Sequence, residues 1–449
     1  MSEAAAPATG SLKRTLTLWD LVFYGVVIIQ PVAPMGIYGV VSMEARGHVV
    51  TTILIGLCAM MLTAFSYGKM AAAYPSAGSA FTYVGQELHP SLGYATGWSM
   101  VMDYVLNPII CTILCSKLVS TTDVGRVIPE ALWIIFFAAL FTGLNLRGVK
   151  QSARMNELLA IFMGIVVVLF LGSALRYLLG ASLTAADLTR PFYDPATFSF
   201  PVVLTGASVA ALTYIGFDGI STLSEEVENP RRNILLATVY TCLAIGILSA
   251  LEVYAAQLVW GTWNGFTSVE TAFVEIARKA GGTWLFVVVN ATLLVATMGS
   301  GMGAQLGAAR LLFGMGRSGA LPRSFFGAVE AKHGIPRNNV LLVGAFSLLG
   351  GFLLSYQLGA EMLNFGAFIA FMGVNLAAFT RYWARAEKKT LGNFVFPLLG
   401  FLFCFYLWYS LRPQAKLAGA AWLAAGLIYG AIRTKGFRKE LVTFDAPAE

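Results

Sequence analysis

The sequence predicts an all-α integral membrane protein with twelve transmembrane helices. Hydrophobic residues make up 57% of its 449 residues and charged residues only 12%, whereas about a quarter of an average soluble domain is charged. A membrane-spanning helix needs about 20 mainly apolar residues, and the sequence contains twelve charge-poor stretches close to or above this length. Prolines or glycines interrupt two of these stretches, at corresponding positions five spans apart.

Short connections join the predicted spans, and polar tails are expected at residues 1–17 and 435–449. No cleaved signal peptide is expected, because the first apolar stretch is too long for a signal core. The twelve spans cover residues 18–43, 48–72, 90–118, 130–146, 155–179, 199–224, 233–259, 281–310, 339–356, 360–382, 391–411 and 415–433.

Lys and Arg residues indicate the orientation of the spans. With the N-terminus inside, 21 of the 30 Lys and Arg residues fall in cytoplasmic segments. Because cytoplasmic loops carry an excess of these residues, we expect both termini in the cytoplasm and the spans in the plasma membrane, which in a bacterium is the inner membrane. Membrane topology thus accounts for the net charge of +7, and no nucleic-acid partner is expected.

Residue types that build metal sites and active sites are scattered along the chain. All five cysteines fall inside predicted spans, where they behave as small apolar residues. Cys111 and Cys115 share a helix face, but a zinc site needs further ligands, and the three histidines lie in connections or, for His48, at the very start of a span. The spans contain no pairing of a nucleophile with a base. The sequence therefore predicts no metal, no cofactor and no enzymatic activity.

Two spans contain residues that interrupt a helix. The first span has Pro31 and Pro34 near its middle, and because proline has no N–H to donate, the carbonyls of Val27 and Gln30 lose their helical partners. The sixth span contains Gly216-Phe217-Asp218-Gly219. Two glycines allow the backbone to open there, beside an acid that is costly to place in lipid.

Two interrupted spans of opposite direction are typical of secondary transporters built from inverted repeats. We expect the repeats to cover residues 18–180 and 198–383, with two additional helices in 390–434. The interruptions would turn backbone polar groups and Asp218 toward a solute site within the membrane. A kinked helix with a packed, protonated Asp218 is the alternative interpretation of the sixth span.

Further polar residues in the spans are candidates for the same site. Asp103 and Asn107 in the third span share a helix face at a spacing of four residues, and Tyr104 is adjacent to Asp103. In the eighth span, Thr297 and Ser300 belong to a run of small residues. Such a run indicates close helix packing or, alternatively, an ion site beside the interrupted first span.

Several motifs carry a resemblance to a known family. They are Ser66-Tyr67-Gly68-Lys69, Tyr74-Pro75-Ser76-Ala77-Gly78-Ser79, Gly97-Trp98-Ser99, Asp103-Tyr104, Gly216-Phe217-Asp218, Thr222-Leu223-Ser224-Glu225-Glu226, Asn229-Pro230-Arg231, Gly314-Met315-Gly316-Arg317 and Asn364-Phe365-Gly366-Ala367. On these residues the chain resembles the amino acid-polyamine-organocation transporter superfamily over essentially its whole length. Within the superfamily it is similar to bacterial putrescine importers.

This resemblance implies a leucine-transporter-type fold, with two inverted repeats of five helices, discontinuous helices 1 and 6, substrate between the two breaks, and alternating access. It also implies a short helix after Lys69. Many amino acid transporters of the superfamily hold the substrate carboxylate on a glycine- and serine-rich run, which residues 30–35 replace here with a segment containing two prolines. Some proton-coupled relatives have a lysine in helix 5, where an ungapped alignment places Met163.

We therefore predict a secondary importer of a small cationic amine such as putrescine, coupled to protons or else to sodium. One ammonium would be held by Asp218 and carbonyls near Gln30, with Tyr104 or Tyr214 against the methylene chain. The predicted substrate-binding residues are Gln30, Val32, Ala33, Met35, Asp103, Tyr104, Asn107, Tyr214, Phe217 and Asp218.

The inner end of the sixth span carries a candidate gate. Glu225 and Glu226, with Arg154 or Arg231, would guide the second ammonium or close the inner gate. The alternative is an ordinary solvated acid pair in a basic loop.

A second interpretation keeps the fold and changes the substrate to a neutral or cationic amino acid, taken up or exchanged. The amides of Val32, Ala33 and Gly36 would then hold the carboxylate. A channel is disfavoured because the matched breaks indicate a gated site. A receptor-like solute sensor remains an alternative. The sequence leaves the substrate, the coupling ion and the oligomeric state undetermined.

Overall fold

A computed structural model describes residues 16–74, 79–147, 153–223, 227–317, 319, 321–330 and 335–436. Every regular element in these residues is helical. Nine of the described helices are long and apolar enough to cross a membrane, and a bent pair of helices forms a tenth span of this kind. Two further apolar helices are shorter, at 17 residues each. The all-helical membrane fold is confirmed for the described part of the chain.

The helices are numbered in chain order. They are α1 (Leu18–Ile29), α2 (Ala33–Glu44), α3 (Val49–Ala73), α4 (Ser79–Glu87), α5 (Pro90–Ser120), α6 (Glu130–Leu146), α7 (Ala153–Leu179), α8 (Ala185–Thr189), α9 (Phe200–Ala210), α10 (Pro230–Trp260), α11 (Ala272–Arg317), α12 (Arg323–Phe326), α13 (Arg337–Leu353), α14 (Tyr356–Phe379), α15 (Leu391–Ser410) and α16 (Pro413–Arg433).

The predicted spans agree with these helices to within a few residues, except for the eighth. The sequence predicts a helix at residues 281–310, whereas α11 runs from Ala272 to Arg317. It contains a kink at Gly282, whose φ of 77° lies in the left-handed region that favours glycine. Hydropathy detects only the apolar middle of this helix, so both ends were predicted as connections.

The helix α5 lies at the centre of the molecule, and α15 and α16 lie at its edge. In the most apolar stretch of α5, 83% of the residues are buried, compared with 22% in α15 and in α16. The helices α4, α6, α11, α13, α14 and α16 all pack against α5. This position keeps the polar residues of α5 inside the protein, where polar groups of a membrane span are expected.

The helix α2 is enclosed, whereas α1 is more exposed. Nine residues of α2 are buried, compared with four of α1. The Tyr38 hydroxyl donates to Gln257 Oε1 at 2.7 Å, and Ser42 Oγ donates to the carbonyl oxygen of Trp263 at 3.0 Å. A Cβ added at Gly39 would lie 2.0 Å from a backbone oxygen in the connection between α10 and α11. This connection closes the molecule at the far end of α2.

A buried ion pair joins α14 to the connection between α15 and α16. Glu361 is fully buried, and Arg412 Nε donates to its Oε1 at 2.6 Å. Gln357 Nε2 donates to the same oxygen at 3.1 Å and to Glu44 Oε1 at 2.6 Å. Because an unpaired buried carboxylate is strongly destabilising, these donors allow Glu361 to be buried and connect α2, α14 and the last two helices.

The helices α5 and α16 are held together by two tryptophans. The indole rings of Trp98 and Trp422 are stacked with centroids 5.2 Å apart. Each Nε1 donates to the other residue's carbonyl oxygen, at 2.9 and 3.1 Å. A Cβ added at Gly426 would lie 2.2 Å from Cδ1 of Trp98. Only glycine at this position allows the close approach of the two helices.

The substitution Gly426→Ala is expected to lower the free energy of unfolding by about 1–3 kcal/mol, the usual cost of overpacking. The measurement is the midpoint of thermal unfolding of the purified protein in detergent. Gly143→Ala in α6 is the matched control, because nothing lies within 4 Å of a Cβ added there and alanine favours a helix. Equal midpoints for the two variants would contradict the described packing of α5 and α16.

Candidate functional site

The first interruption lies between α1 and α2, at residues 30–32, where the two helices meet at a bend of 47°. Gln30 has a φ of 68°, a conformation that is unfavourable for residues other than glycine. Its carbonyl oxygen accepts from the N–H of Ala33 at 3.0 Å, and its Nε2 donates to the carbonyl oxygen of Ala296 at 2.9 Å. The predicted break is confirmed. The Gln30 carbonyl has no helical partner, because residue 34 is a proline, and the N–H of Ala33 replaces this partner in a tight turn.

The second interruption follows α9. The helix tightens into a 3₁₀ turn at Ala211–Tyr214, opens at Ile215 and Gly216, and resumes as a 3₁₀ helix at Phe217–Leu223. Gly216 has a φ of 118°, which a side chain would strain. The predicted break in the sixth span is therefore confirmed at its glycine.

The two interrupted spans touch each other. A Cβ added at Gly216 would lie 2.7 Å from Cγ2 of Ile28, and one added at Gly25 would lie 2.5 Å from Cδ1 of Ile220. Both glycines therefore allow α1 to lie directly against the turn after α9. This contact places Asp218 beside the break in the first span.

A cavity of about 450 Å³ lies between the two interruptions, within the usual range for small-molecule sites. Its wall is formed by α1, α2, α5, α7, α11, the start of α14 and the residues after α9. The described wall contains two acids, Asp103 and Asp218, and no Lys, Arg or His. The cavity therefore has two carboxyl groups among otherwise polar or apolar walls.

Most of the predicted binding residues line this cavity. They are Gln30, Val32, Ala33, Asp103, Tyr104, Asn107 and Asp218, together with Thr297 and Ser300 of the candidate ion site. Met163, at the position where some relatives have a lysine, also lines the cavity.

Three predicted binding residues lie outside the cavity wall. Met35 is buried in α2. Tyr214 is fully buried, and its hydroxyl donates to the carbonyl oxygen of Ile53 in α3 at 2.8 Å. The ring of Phe217 packs against Phe371 with centroids 5.2 Å apart. Of the two tyrosines predicted to contact the substrate, the structure thus places only Tyr104 in the wall.

The structure adds two tyrosines that the sequence does not single out. Tyr24 and Tyr356 line the cavity from α1 and α14. Tyr24 precedes the first interruption by about two helical turns, and this spacing could have indicated it. Tyr356 is predicted as the last residue of the ninth span but begins α14, so the boundary error concealed it.

Polar groups in and beside the candidate ion site, at Ser300 and Ala296, take part in hydrogen bonds within the protein. Ser300 Oγ lies 3.4 Å from Oδ1 of Asn107, which accepts its hydrogen bond. The carbonyl oxygen of Ala296, next to Thr297, accepts from Gln30. These hydrogen bonds connect the run to α5 and to the first interruption.

The candidate gate falls largely outside the described residues. Glu225 and Glu226 are not described, and Arg154 belongs to α7 with a side chain that is not described. Arg231 lies exposed in the first turn of α10.

The short helix implied after Lys69 is α4, and polar contacts hold its end against α3 and α14. The Glu87 carboxylate accepts from the Tyr74 hydroxyl at 2.6 Å and from Arg381 at 2.5 Å. Burial, together with this hydrogen bond to Glu87, raises the pKa of Tyr74 to about 12. Tyr74 is therefore a protonated donor at neutral pH.

Comparison with known proteins places these features in context. The sequence model of the amino acid permease family matches residues 28–412. The low-affinity putrescine importer PlaP of Escherichia coli is 35% identical over 99% of this chain and 99% of its own length. The branched-chain amino acid permease BcaP of Bacillus subtilis is 24% identical over 95% of this chain and 94% of its own. The cationic amino acid transporter 1 of Arabidopsis thaliana is 26% identical over 87% of this chain and 66% of its own.

At position 30, glycine is expected to give a more stable protein than alanine. Both Gln30→Gly and Gln30→Ala remove the hydrogen bond to Ala296, but only glycine relieves the positive φ, which costs other residues about 1–2 kcal/mol. Inside an unbroken helix the order would be reversed, because glycine costs about 1 kcal/mol relative to alanine there. Thermal unfolding in detergent measures the order. An alanine variant as stable as the glycine variant would argue against this backbone conformation.

Proposed function

Because the chain belongs to the amino acid permease family, we propose that it is a secondary transporter that imports a small cationic amine, putrescine or a polyamine-like compound. The family and its transporter-named members indicate a membrane transporter rather than an enzyme. The charge of the cavity carries the proposal for the substrate: two acids and no basic side chain line its described wall. The likeness to a putrescine importer supports the same substrate class.

The proposed binding mode pairs two ammonium groups with two carboxylates. Putrescine has a primary amine at each end, which resembles the lysine amine with its pKa near 10.4 and is charged at neutral pH. Asp218 would neutralise one ammonium and Asp103 the other, with the face of Tyr104 against the substrate. Since an isolated buried charge is costly, a dication fits two acids better than a monoamine does. Gln30, Val32, Ala33 and Asn107 would complete the wall.

We propose that the two 17-residue helices also cross the membrane, which gives twelve spans. Residues 18–180 and 198–383 would then form two inverted repeats, followed by an additional pair in 390–434. Both termini would lie in the cytoplasm of a bacterial cell. In alternating access, the bend between α1 and α2 would allow the cavity to open to each side of the membrane in turn.

Proton coupling is proposed with a carboxylate as the proton carrier. Met163 lines the cavity where some relatives have a lysine, so Asp103 or Asp218 would take that role. Sodium held at Thr297 and Ser300 is the alternative coupling ion.

We propose that Glu225 and Glu226, together with Arg154 or Arg231, form the inner gate. In this proposal the acids attract the leaving ammonium or pair with an arginine when the inner end closes.

An amino acid substrate is the second candidate, favoured by the amino acid permeases among the relatives. Its carboxylate would need the amides of Val32, Ala33 and Gly36. The Ala33 amide already donates to Gln30, and no described wall residue offers a positive side chain. Both observations favour the amine.

The substitution Asp218→Asn is expected to reduce the kcat/KM of putrescine uptake by at least about 100-fold. Leaving a buried charge without its partner costs about 3–5 kcal/mol. The measurement is uptake of radiolabelled putrescine into proteoliposomes. Asp123→Asn is the control, because this acid is 98% exposed and lies outside the cavity. Unchanged uptake by the Asp218 variant would remove it from the binding site.

Competition against labelled putrescine separates the two candidate substrates. Unlabelled putrescine is expected to inhibit uptake at concentrations at least about tenfold below arginine, alanine or serine, because the amino acids bring a carboxylate next to two acids. The panel is run at several pH values, with and without sodium. Equal inhibition by alanine or arginine would favour an amino acid permease, and uptake that requires sodium would overturn proton coupling.

A further inference from the structure

The hydroxyl of Tyr67 is a buried polar group that has no hydrogen-bond partner among the described residues. Tyr67 lies in α3, and its side chain is 1% exposed. Its ring packs edge-on against Phe217 and Phe371, with centroids 5.4 and 5.9 Å away. The ring is therefore well packed, whereas its oxygen is left unsatisfied. Such groups are uncommon in folded proteins and need an explanation.

Tyr67 lies close to both acids of the cavity. The ring of Tyr67 packs against Phe217, the residue before Asp218, and Asp218, Asp103 and Tyr104 all lie within electrostatic range of its hydroxyl. Asp103 and Tyr104 belong to α5, whereas Asp218 follows α9, so polar groups from two elements surround Tyr67. Tyr67 itself does not line the cavity in this structure.

Other oxygens at the site already accept hydrogen bonds. They are the carbonyl oxygens of Gln30, Gly216, Asp218 and Ala296 and the side-chain oxygen of Asn107. A primary ammonium has three N–H donors, and one carboxylate rarely satisfies all three. The Tyr67 hydroxyl is an acceptor near both acids that is not yet used.

We propose that Tyr67 is a further substrate-binding residue, whose hydroxyl oxygen accepts a hydrogen bond from the ammonium that Asp218 neutralises. The contact forms when the turn at Gly216 and Asp218 moves as the cavity closes around the substrate. The proposal rests on the proposed amine transport and deepens it, because it assigns the substrate class to primary amines. Sites that hydrogen-bond a substrate group discriminate strongly against analogues that lack it.

The test is Tyr67→Phe, which keeps the ring contacts and removes only the oxygen. In proteoliposomes, the KM for putrescine is expected to rise about tenfold, with the maximal rate within about twofold of wild type, as for the loss of a hydrogen bond to a charged group. Tetramethylputrescine, which has tertiary ammonium groups with one N–H each, serves as the competitor. The wild-type preference for putrescine over this analogue is expected to fall about tenfold in the variant.

Tyr429→Phe is the matched control. The Tyr429 hydroxyl in α16 is also buried without a partner among the described residues, but Tyr429 does not line the cavity. Its replacement is expected to leave KM and the preference for putrescine unchanged. Thermal unfolding of both variants in detergent checks that neither is destabilised.

If KM and the preference over tetramethylputrescine stay at wild-type values in Tyr67→Phe, the proposal is overturned, whether or not the variant is less stable than wild type. Failure of the proposed function is recognised separately, because the wild-type protein would then show no saturable putrescine uptake.

Discussion

In a membrane, every backbone polar group and every charge needs a partner inside the protein, and the structure around the cavity follows from this constraint. An unbroken helix pairs its backbone N–H and C=O groups along its length. Each interruption therefore needs other hydrogen-bond partners for these groups. At the first break, the N–H of Ala33 and the carbonyl of Gln30 form a tight turn. At the second, 3₁₀ segments on both sides of Gly216 have the same effect. The breaks thereby open space for a solute without leaving the backbone exposed to lipid.

Hydropathy and helix-breaking residues predict most of the long apolar helices and both breaks, because these depend on local chemistry. Pro31 and Pro34 cannot continue the hydrogen bonds of a helix wherever they lie. The orientation of side chains beside a break was harder to predict. A 3₁₀ turn has three residues per turn instead of 3.6, so Tyr214 no longer follows the helical spacing and contacts Ile53. The neighbours of Asp218 likewise could not be assigned to the cavity from spacing alone.

Gln30 connects the first break with α11. Its backbone adopts a conformation usually reserved for glycine, and its side chain donates to Ala296. A residue held in an unfavourable conformation by its surroundings is commonly found at functional sites. Here the same residue separates the more exposed α1 from the enclosed α2. The prolines in the sequence predict the break. The hydrogen bond from Gln30 to Ala296, 266 residues away, is visible only in the folded structure.

The ion pair between Arg412 and Glu361 has a consequence for the last two helices, which the inverted-repeat scheme treats as an appendage. Arg412 lies outside the proposed repeats, yet it compensates a carboxylate fully buried in α14. A truncated chain that ends after α14 would keep this acid and lose its cation. Removing the last two helices would therefore leave a buried carboxylate without its cation, which is strongly destabilising.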